Sequence, residues 1–204
     1  MKGRPPPPLR IAPNVQNGPM QVAAVILAAG ASVRFGSPKQ LAPFGAGTML
    51  DAVVAQARRA GLSPIILVLP PGVAAPPEVV PVVNPRPEDG MSRSLRLGVE
   101  AVPAEVDAAL IMLGDQPTLS TRTIRLVLDA AAGDRPIVAP SAAGGTAPPV
   151  LLMREAFGIV AEATGDEGLR SILRERREAV TTVEVGEHAP DVDTPADLAA
   201  LRRR

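Results

Sequence analysis

The reactive side chains of this sequence fall into a few short segments, and the first of them carries two cations. Arg34 and Lys39 lie in the run Leu27-Ala28-Ala29-Gly30-Ala31-Ser32-Val33-Arg34-Phe35-Gly36-Ser37-Pro38-Lys39-Gln40-Leu41, directly after the continuous apolar stretch from Val22 to Leu27. Small residues that follow a buried strand let backbone N–H groups approach an oxyanion without steric hindrance. Leu27, Ala28, Ala29, Gly30 and Ser32 are therefore candidate binding positions for a phosphate-bearing ligand, with Arg34 and Lys39 as candidate catalytic cations on the same anion. The run is neither a P-loop, which needs Gly-Lys-Ser/Thr, nor a Gly-x-Gly-x-x-Gly fingerprint. Of the 21 basic residues only Lys2 and Lys39 are lysines. A composition that favours arginine this strongly still places a compact point charge where a phosphate would sit.

The acidic candidates come later in the chain. Leu113-Gly114-Asp115-Gln116-Pro117 closes the apolar run from Ala108 to Leu113, so Asp115 stands beyond a strand end. A carboxylate opposite two cations is what a triphosphate site needs to hold Mg²⁺, which makes Asp115 a candidate catalytic and metal-binding residue. The structural alternative is an ordinary Gly-Asp-x-Pro turn. In Asp191-Val192-Asp193-Thr194-Pro195-Ala196-Asp197, a helix start accounts for Thr194, Pro195 and Asp197 but leaves Asp191 and Asp193 without a structural reason. The segment from Asn84 to Leu95 holds a turn and another helix start. Ser92 reads there as a plain N-cap, or else as a hydroxyl that, with Ser94, receives a base edge or an anion. Thr164 to Arg170 opens a further helix, whose N-terminus and Arg170 either clamp a phosphate or are simply capped and solvated. His188, the only histidine, stands in a polar loop where no metal cluster can be built around it.

The elements that position these residues follow from the apolar pattern. Val22 to Leu27, Pro64 to Leu69 and Ala108 to Leu113 are unbroken apolar runs, the mark of strands buried on both faces. Val79 to Val83, Pro136 to Ala139, Val150 to Met153 and Thr181 to Val185 read as further extended segments. Helical spacing covers Met49 to Arg59, Met91 to Val102 and Thr121 to Ala132; two helices are expected from about Glu155 and Asp166, and a short one from near Pro195. Strands alternating with helices predict an α/β fold of three layers, a mostly parallel sheet with helices on both faces. Ligands in such sheets bind beyond the carboxyl ends of the strands, where the unusual segments lie.

Bulk composition excludes several classes. The chain has 204 residues, 46% of them hydrophobic and 21% charged, which suits one domain, read here as residues 20–204, after a proline-rich leader at 1–19. Twenty-one basic residues balance 21 acidic ones, so no net field draws a nucleic acid, and three phenylalanines cannot build a stacking platform. With no cysteine, disulfides, thiolate metal sites and cysteine nucleophiles are ruled out together. Apolar runs fall well short of the roughly 20 residues that span a bilayer, and no signal-peptide core is present, so a cytoplasmic location is expected.

The loop from Leu27 to Leu41, together with Gly114-Asp115-Gln116-Pro117 and Asp191-Val192-Asp193, resembles the nucleotidyltransferases related to molybdenum cofactor cytidylyltransferase and guanylyltransferase. The resemblance runs from about Val22 to Leu201 and implies a Rossmann-like nucleotidyltransferase fold. It implies that the loop wraps a nucleoside triphosphate with Arg34 and Lys39 on its phosphates, that Asp115 and Asp193 bind Mg²⁺, and that Ser92 and Ser94 face base and ribose. Leu-Ala-Ala-Gly is similar to the cytidylyl branch, making CTP the favoured donor, and the Ala29 methyl would narrow the pocket toward a pyrimidine. The implied reaction delivers a nucleoside monophosphate to a small phosphorylated acceptor, molybdopterin in this family, with a molybdenum hydroxylase as the eventual client. Where the family has Gly-His-Pro this chain has Ala147-Pro148-Pro149, which leaves the acceptor open. A sugar-phosphate nucleotidyltransferase and a non-catalytic nucleotide-binding maturation factor are the alternatives.

Overall fold

The first apolar run forms a strand because β-branched and small side chains fill both faces of a sheet without polar cost. In the computed structural model, which describes residues 19–203 apart from 31, 33, 34 and 144, β1 spans Val22–Leu27 and is buried along its whole length. The leader reading, Pro19 apart, and the reading of Arg34 fall outside the described residues. A small antiparallel pair follows, β2 (Pro43–Phe44) and β3 (Gly47–Thr48), ahead of α1 (Met49–Arg59). Thr48 starts α1 with a capping box: its Oγ1 accepts from Asp51 N–H at 3.1 Å while Asp51 Oδ2 accepts from Thr48 N–H at 2.9 Å.

Next come β4 (Ile65–Leu69), β5 (Val80–Val83), α2 (Met91–Glu100), β6 (Ala108–Leu113) and α3 (Thr121–Asp129). The second half adds β7 (Ile137–Ala142), β8 (Gly145–Thr146), β9 (Val150–Met153), α4 (Arg170–Glu175), β10 (Val180–Glu184) and α5 (Pro195–Leu201). Eight strands make one sheet in the order β10-β7-β9-β6-β1-β4-β5, with β8 paired to β7. Six of the seven strands in that row run the same way, and β9 alone runs against its neighbours. The mostly parallel sheet expected from the sequence is therefore present.

Side-chain alternation along β1 divides the core between the two faces. Ala23, Val25 and Leu27 pack with Leu95 and Val99 of α2 and with Ile172 and Leu173 of α4. Val22, Ala24 and Ile26 pack with Leu50, Val53 and Val54 of α1 and with Ile124 and Val127 of α3. Gly98 lets α2 lie this close, since a Cβ there would stand 2.5 Å from Val25 Cγ1. A third, smaller cluster joins Ala42, Met49, Val192 and Leu198, tying α5 and the segment before it to the start of α1.

Several boundaries depart from the sequence reading. The helix expected from about Glu155 is a 3-10 segment, Arg154–Glu162, where Gly158 and the β-branched Ile159 and Val160 weaken α propensity. The next helix starts at Arg170 rather than near Asp166, because Gly165 and Gly168 take positive φ values of 51° and 56°. The third long helix ends at Asp129 and finishes as a 3-10 turn, Ala130–Ala132. β5 is an edge strand with Val80 and Val83 exposed. Among the described residues no helix is long and apolar enough to cross a membrane.

Candidate active site

Adjacent parallel strands end together, and the segments that leave them must share the same space. Leu27 of β1 and Leu113 of β6 are register partners at the carboxyl ends of their strands. The chain then continues as Ala28-Ala29-Gly30 on one side and Gly114-Asp115 on the other. Gly114 N–H donates to Leu27 O at 2.9 Å, and a Cβ at Gly114 would stand 2.7 Å from Ala28 Cβ. Glycine at that position lets the two strand ends close up, so Asp115 emerges beside the small-residue loop.

Lys39 reaches the same point from a 3-10 turn, Lys39–Leu41. Its backbone N–H donates to Ser32 Oγ at 3.1 Å, and Ser32 itself adopts φ 51°. The Lys39 ammonium then donates to Asp115 Oδ2 at 2.8 Å and to Asp193 Oδ1 at 2.9 Å. Asp193 arrives from the far end of the chain. Val192, fully buried, anchors its segment, a burial that stabilises by roughly 1.5–3 kcal/mol. Val192 N–H donates to Asp115 O at 2.9 Å, and Thr194 with Asp197 forms the capping box of α5, as the sequence predicted.

These groups surround a cavity of about 470 Å³ beyond the ends of β1 and β6. Leu27, Ala28, Ala29, Gly30, Ser32 and Lys39 line one side with Asp115 and Asp193; Ser94, Gly90, Met91 and Asp166 line another. Ser92 does not line it: it is buried, and the N-cap of α2 is Gly90, so the capping role read for Ser92 is corrected as well. Gly90, at φ 89°, packs so closely on the turn at Gly165 that a Cβ would meet its carbonyl carbon at 2.6 Å. That turn caps α2 from a distance: Asp166 Oδ1 accepts from Met91 N–H at 3.2 Å and Gly165 O from Ser92 N–H at 2.9 Å. The helix N-terminus read as an anion receiver therefore already has partners on its first two N–H groups. Ser94 Oγ accepts from the buried Asn84 Nδ2 at 3.0 Å. Arg170 is exposed, and His188 lies away from the cavity with Nε2 2.7 Å from Gly145 O. The lining residues not singled out from sequence, Gln40, Pro87, Glu88, Gly90, Met91 and Asp166 among them, all sit inside segments that were, so position within a flagged segment was the available signal.

Burial and charge set the protonation of the acidic cluster. Burial alone would lower the Lys39 ammonium, but the Asp115 and Asp193 carboxylates outweigh it and hold its pKa above the ordinary lysine value. Burial lifts Asp115 above the usual carboxylate value; Lys39 pulls the other way without cancelling it, and the nearby Asp191 charge adds to the rise. Among the described residues two carboxylates face one ammonium, an arrangement suited to receive a second cation. Asp115 Oδ1 is buried and has no hydrogen-bond partner among the described residues. The donors are carboxylate oxygens, which suit a hard divalent ion, and no three His, Cys, Asp or Glu side chains among the described residues are placed to hold a metal ion by themselves. Two carboxylates completed by oxygens of a bound phosphate chain are the usual arrangement for Mg²⁺, so the residues fit such an ion.

The chain is similar to several known proteins in sequence and fold. The structure of Rv0371c from Mycobacterium tuberculosis H37Rv superposes with a TM-score of 0.78 at 31% identity, covering 91% of this chain and 100% of that one. A second structure of Rv0371c, in complex with manganese, gives a TM-score of 0.76 at 30% identity, covering 91% and 99%. A 2-C-methyl-D-erythritol 4-phosphate cytidylyltransferase of Streptomyces coelicolor is 32% identical over 136 residues, 60% of this chain and 50% of that protein. The chain thus spans about half the length of the curated relatives it matches. Residues 24–180, from the middle of β1 to the start of β10, match the family described as the MobA-like NTP transferase domain, and the chain belongs to that family.

Proposed function

We propose that the chain transfers a nucleoside monophosphate, CMP in preference, from a nucleoside triphosphate to a small phosphorylated acceptor. The observation that carries this reading is the Lys39 ammonium bracketed by Asp115 and Asp193 at the mouth of a cavity whose wall is a small-residue loop. An acceptor phosphate oxygen attacks the α-phosphorus, a new P–O bond forms, and the bond to the bridging oxygen breaks with its electron pair leaving on pyrophosphate. The acceptor is already an anion at neutral pH, so the step needs no general base, consistent with a cavity that contains no histidine. Catalysis then rests on positioning and charge neutralisation.

Asp115 and Asp193 would hold a divalent cation, Mg²⁺ by the sequence reading, and when bound it would neutralise charge developing on the phosphates. Lys39, and Arg34 by the resemblance, supply positive charge to the phosphate chain. Leu27, Ala28, Ala29, Gly30 and Ser32 give that chain a wall without bulky side chains, and Ser94 is the hydroxyl nearest the base and ribose in this reading. Cytosine as the base is supported by the Leu-Ala-Ala-Gly sequence and by a relative that is named a cytidylyltransferase. The resemblance favours molybdopterin as acceptor, whereas the name of the Streptomyces relative points to 2-C-methyl-D-erythritol 4-phosphate. The names of the curated relatives do not support the molybdenum hydroxylase client that the resemblance implied.

Pyrophosphate release, measured with each of four nucleoside triphosphates against both acceptors with and without Mg²⁺ or Mn²⁺, tests the reading. Release with CTP, dependent on acceptor and metal, is the expected result. Faster release with another triphosphate would replace CTP, and triphosphate binding with no turnover on either acceptor would overturn the assignment.

A further inference from the structure

Gln116 is not part of the cavity wall, yet its amide touches the segment that carries Asp193. The residue is 2% exposed. Its Nε2 donates to Asp191 Oδ1 at 2.9 Å and to Ala189 O at 3.2 Å. Both partners only accept, which fixes the amide with nitrogen toward residues 189–191 and Oε1 away from them. That Oε1 is buried with no partner among the described residues. The two donated bonds tie the side chain to residues 189–191, while the buried Oε1 makes none of its own among the described residues.

The amide acts as a clasp. Residues 189–193 belong to no strand or helix, and the sheet ladder does not fix them. The two Gln116 bonds and the bond from Val192 N–H to Asp115 O lay this segment along 115–116, directly after β6. Asp193 follows Val192 immediately, and its carboxylate then meets Asp115's across the Lys39 ammonium. Asp191, which the helix start after it does not explain, is accounted for as the acceptor of this clasp.

We propose that Gln116 is a positioning residue that fixes the separation of the Asp115 and Asp193 carboxylates, and with it the affinity of the site for a divalent cation bound with a triphosphate. The inference rests on the function proposed above. Residues one step behind metal ligands commonly control affinity by roughly 10–100-fold.

The test reads metal binding without turnover. Free Mn²⁺ is counted by electron paramagnetic resonance as the ion is titrated into protein saturated with a non-hydrolysable CTP analogue. Gln116→Met keeps the volume and removes the clasp; Asp191→Ala removes the acceptor from an exposed position, so it folds even if the core variant does not. Both should raise the Mn²⁺ dissociation constant roughly tenfold or more. Asp191→Asn, which keeps an acceptor oxygen, should stay near wild type. Wild-type Mn²⁺ affinity in Gln116→Met and Asp191→Ala would overturn the role of Gln116 and leave the proposed function standing. A wild-type protein that binds no Mn²⁺ with the analogue would instead overturn the proposed function itself, together with this inference.

Discussion

The two rims of the cavity are built from similar residue types but leave them in different states. On the rim beyond β1 and β6, Lys39, Asp115 and Asp193 point at one another, and Asp115 still has a buried oxygen without a partner among the described residues. On the rim at the start of α2, the polar groups already serve the fold. Asp166 caps Met91 N–H, Gly165 O takes Ser92 N–H, and Ser94 holds the buried Asn84. The first rim is thus equipped to neutralise charge, whereas the second offers shape. Substitutions should divide accordingly, with turnover and metal requirement changing on the first rim and stability on the second.

The largest expected effect is at Lys39. Lys39→Met should lower turnover by roughly 10²–10³, the scale for losing one preorganised charge in such a site. Its side chain is 15% exposed and bridges two carboxylates. The same variant sharpens the contrast in a second way. In the wild type the ammonium stands between the carboxylates, so a divalent ion added without nucleotide competes with it. Lys39→Met should therefore bind Mn²⁺ alone more tightly than the wild type even as turnover falls. Near-normal turnover would remove Lys39 from the mechanism, and weaker Mn²⁺ binding would mean that the lysine organises the carboxylates rather than competing for them.

Asp193→Asn comes next. Its carboxylate is 37% exposed against 22% for Asp115, so solvent screens more of its charge. A rise of about tenfold in the Mg²⁺ needed for half-maximal rate is expected, with folding unchanged, because Asp197 and Thr194 carry the cap of α5. A wild-type magnesium curve would leave Asp115 as the only carboxylate on the metal. Acidity should act on the same rim. With its pKa raised by burial, Asp115 takes up a proton at higher pH than an ordinary aspartate, and a protonated carboxyl cannot ligate. The metal concentration for half-maximal rate should thus begin to climb on acidification before ordinary carboxylates titrate. Lys39, raised above the usual lysine value, keeps its charge throughout that range. A flat metal requirement down to the usual aspartate range would show that Asp115 is not a ligand.

Much of the first rim was legible in the sequence, because its signals are local. The apolar runs of β1, β4 and β6 announce strands buried on both faces, and the strand-end rule then places Asp115 and the small-residue loop together. Asp193 was reached only through a family resemblance, since the residues around it spell a helix start. At the second rim Ser94 does line the cavity, and only the cap reading of Ser92 fails, for a physical reason. Ser92 has an N-cap's residue type, but α2 is capped by Asp166, 75 positions from Met91 in sequence, and no local pattern reports such a contact. The bond from Gln116 to Asp191 spans 75 positions as well. The β2–β3 pair, two residues in each strand, is too short to show alternation.

The smallest predicted effect is the one that most directly tests whether the second rim is only a scaffold. Asp166→Ala leaves Met91 N–H without its carboxylate acceptor and removes a negative charge from the N-terminus of α2. Asp166 is exposed, so water can replace the lost bond, and the cost should be about 0.5–1 kcal/mol, as for other cap deletions. For a chain of this size that corresponds to a fall in Tm of roughly 1–4 °C. Asp166 also borders the cavity, so a modest change in KM for one substrate agrees with a role in shape. Its carboxylate is not among those that meet Lys39, and the metal requirement should therefore match the wild type. Thermal melting and a magnesium titration of initial rate on the purified variant decide the matter. If Asp166→Ala raised the metal requirement as far as Asp193→Asn does, Asp166 would belong with the charged cluster, and the division between a charge-neutralising rim and a shaping rim would fail.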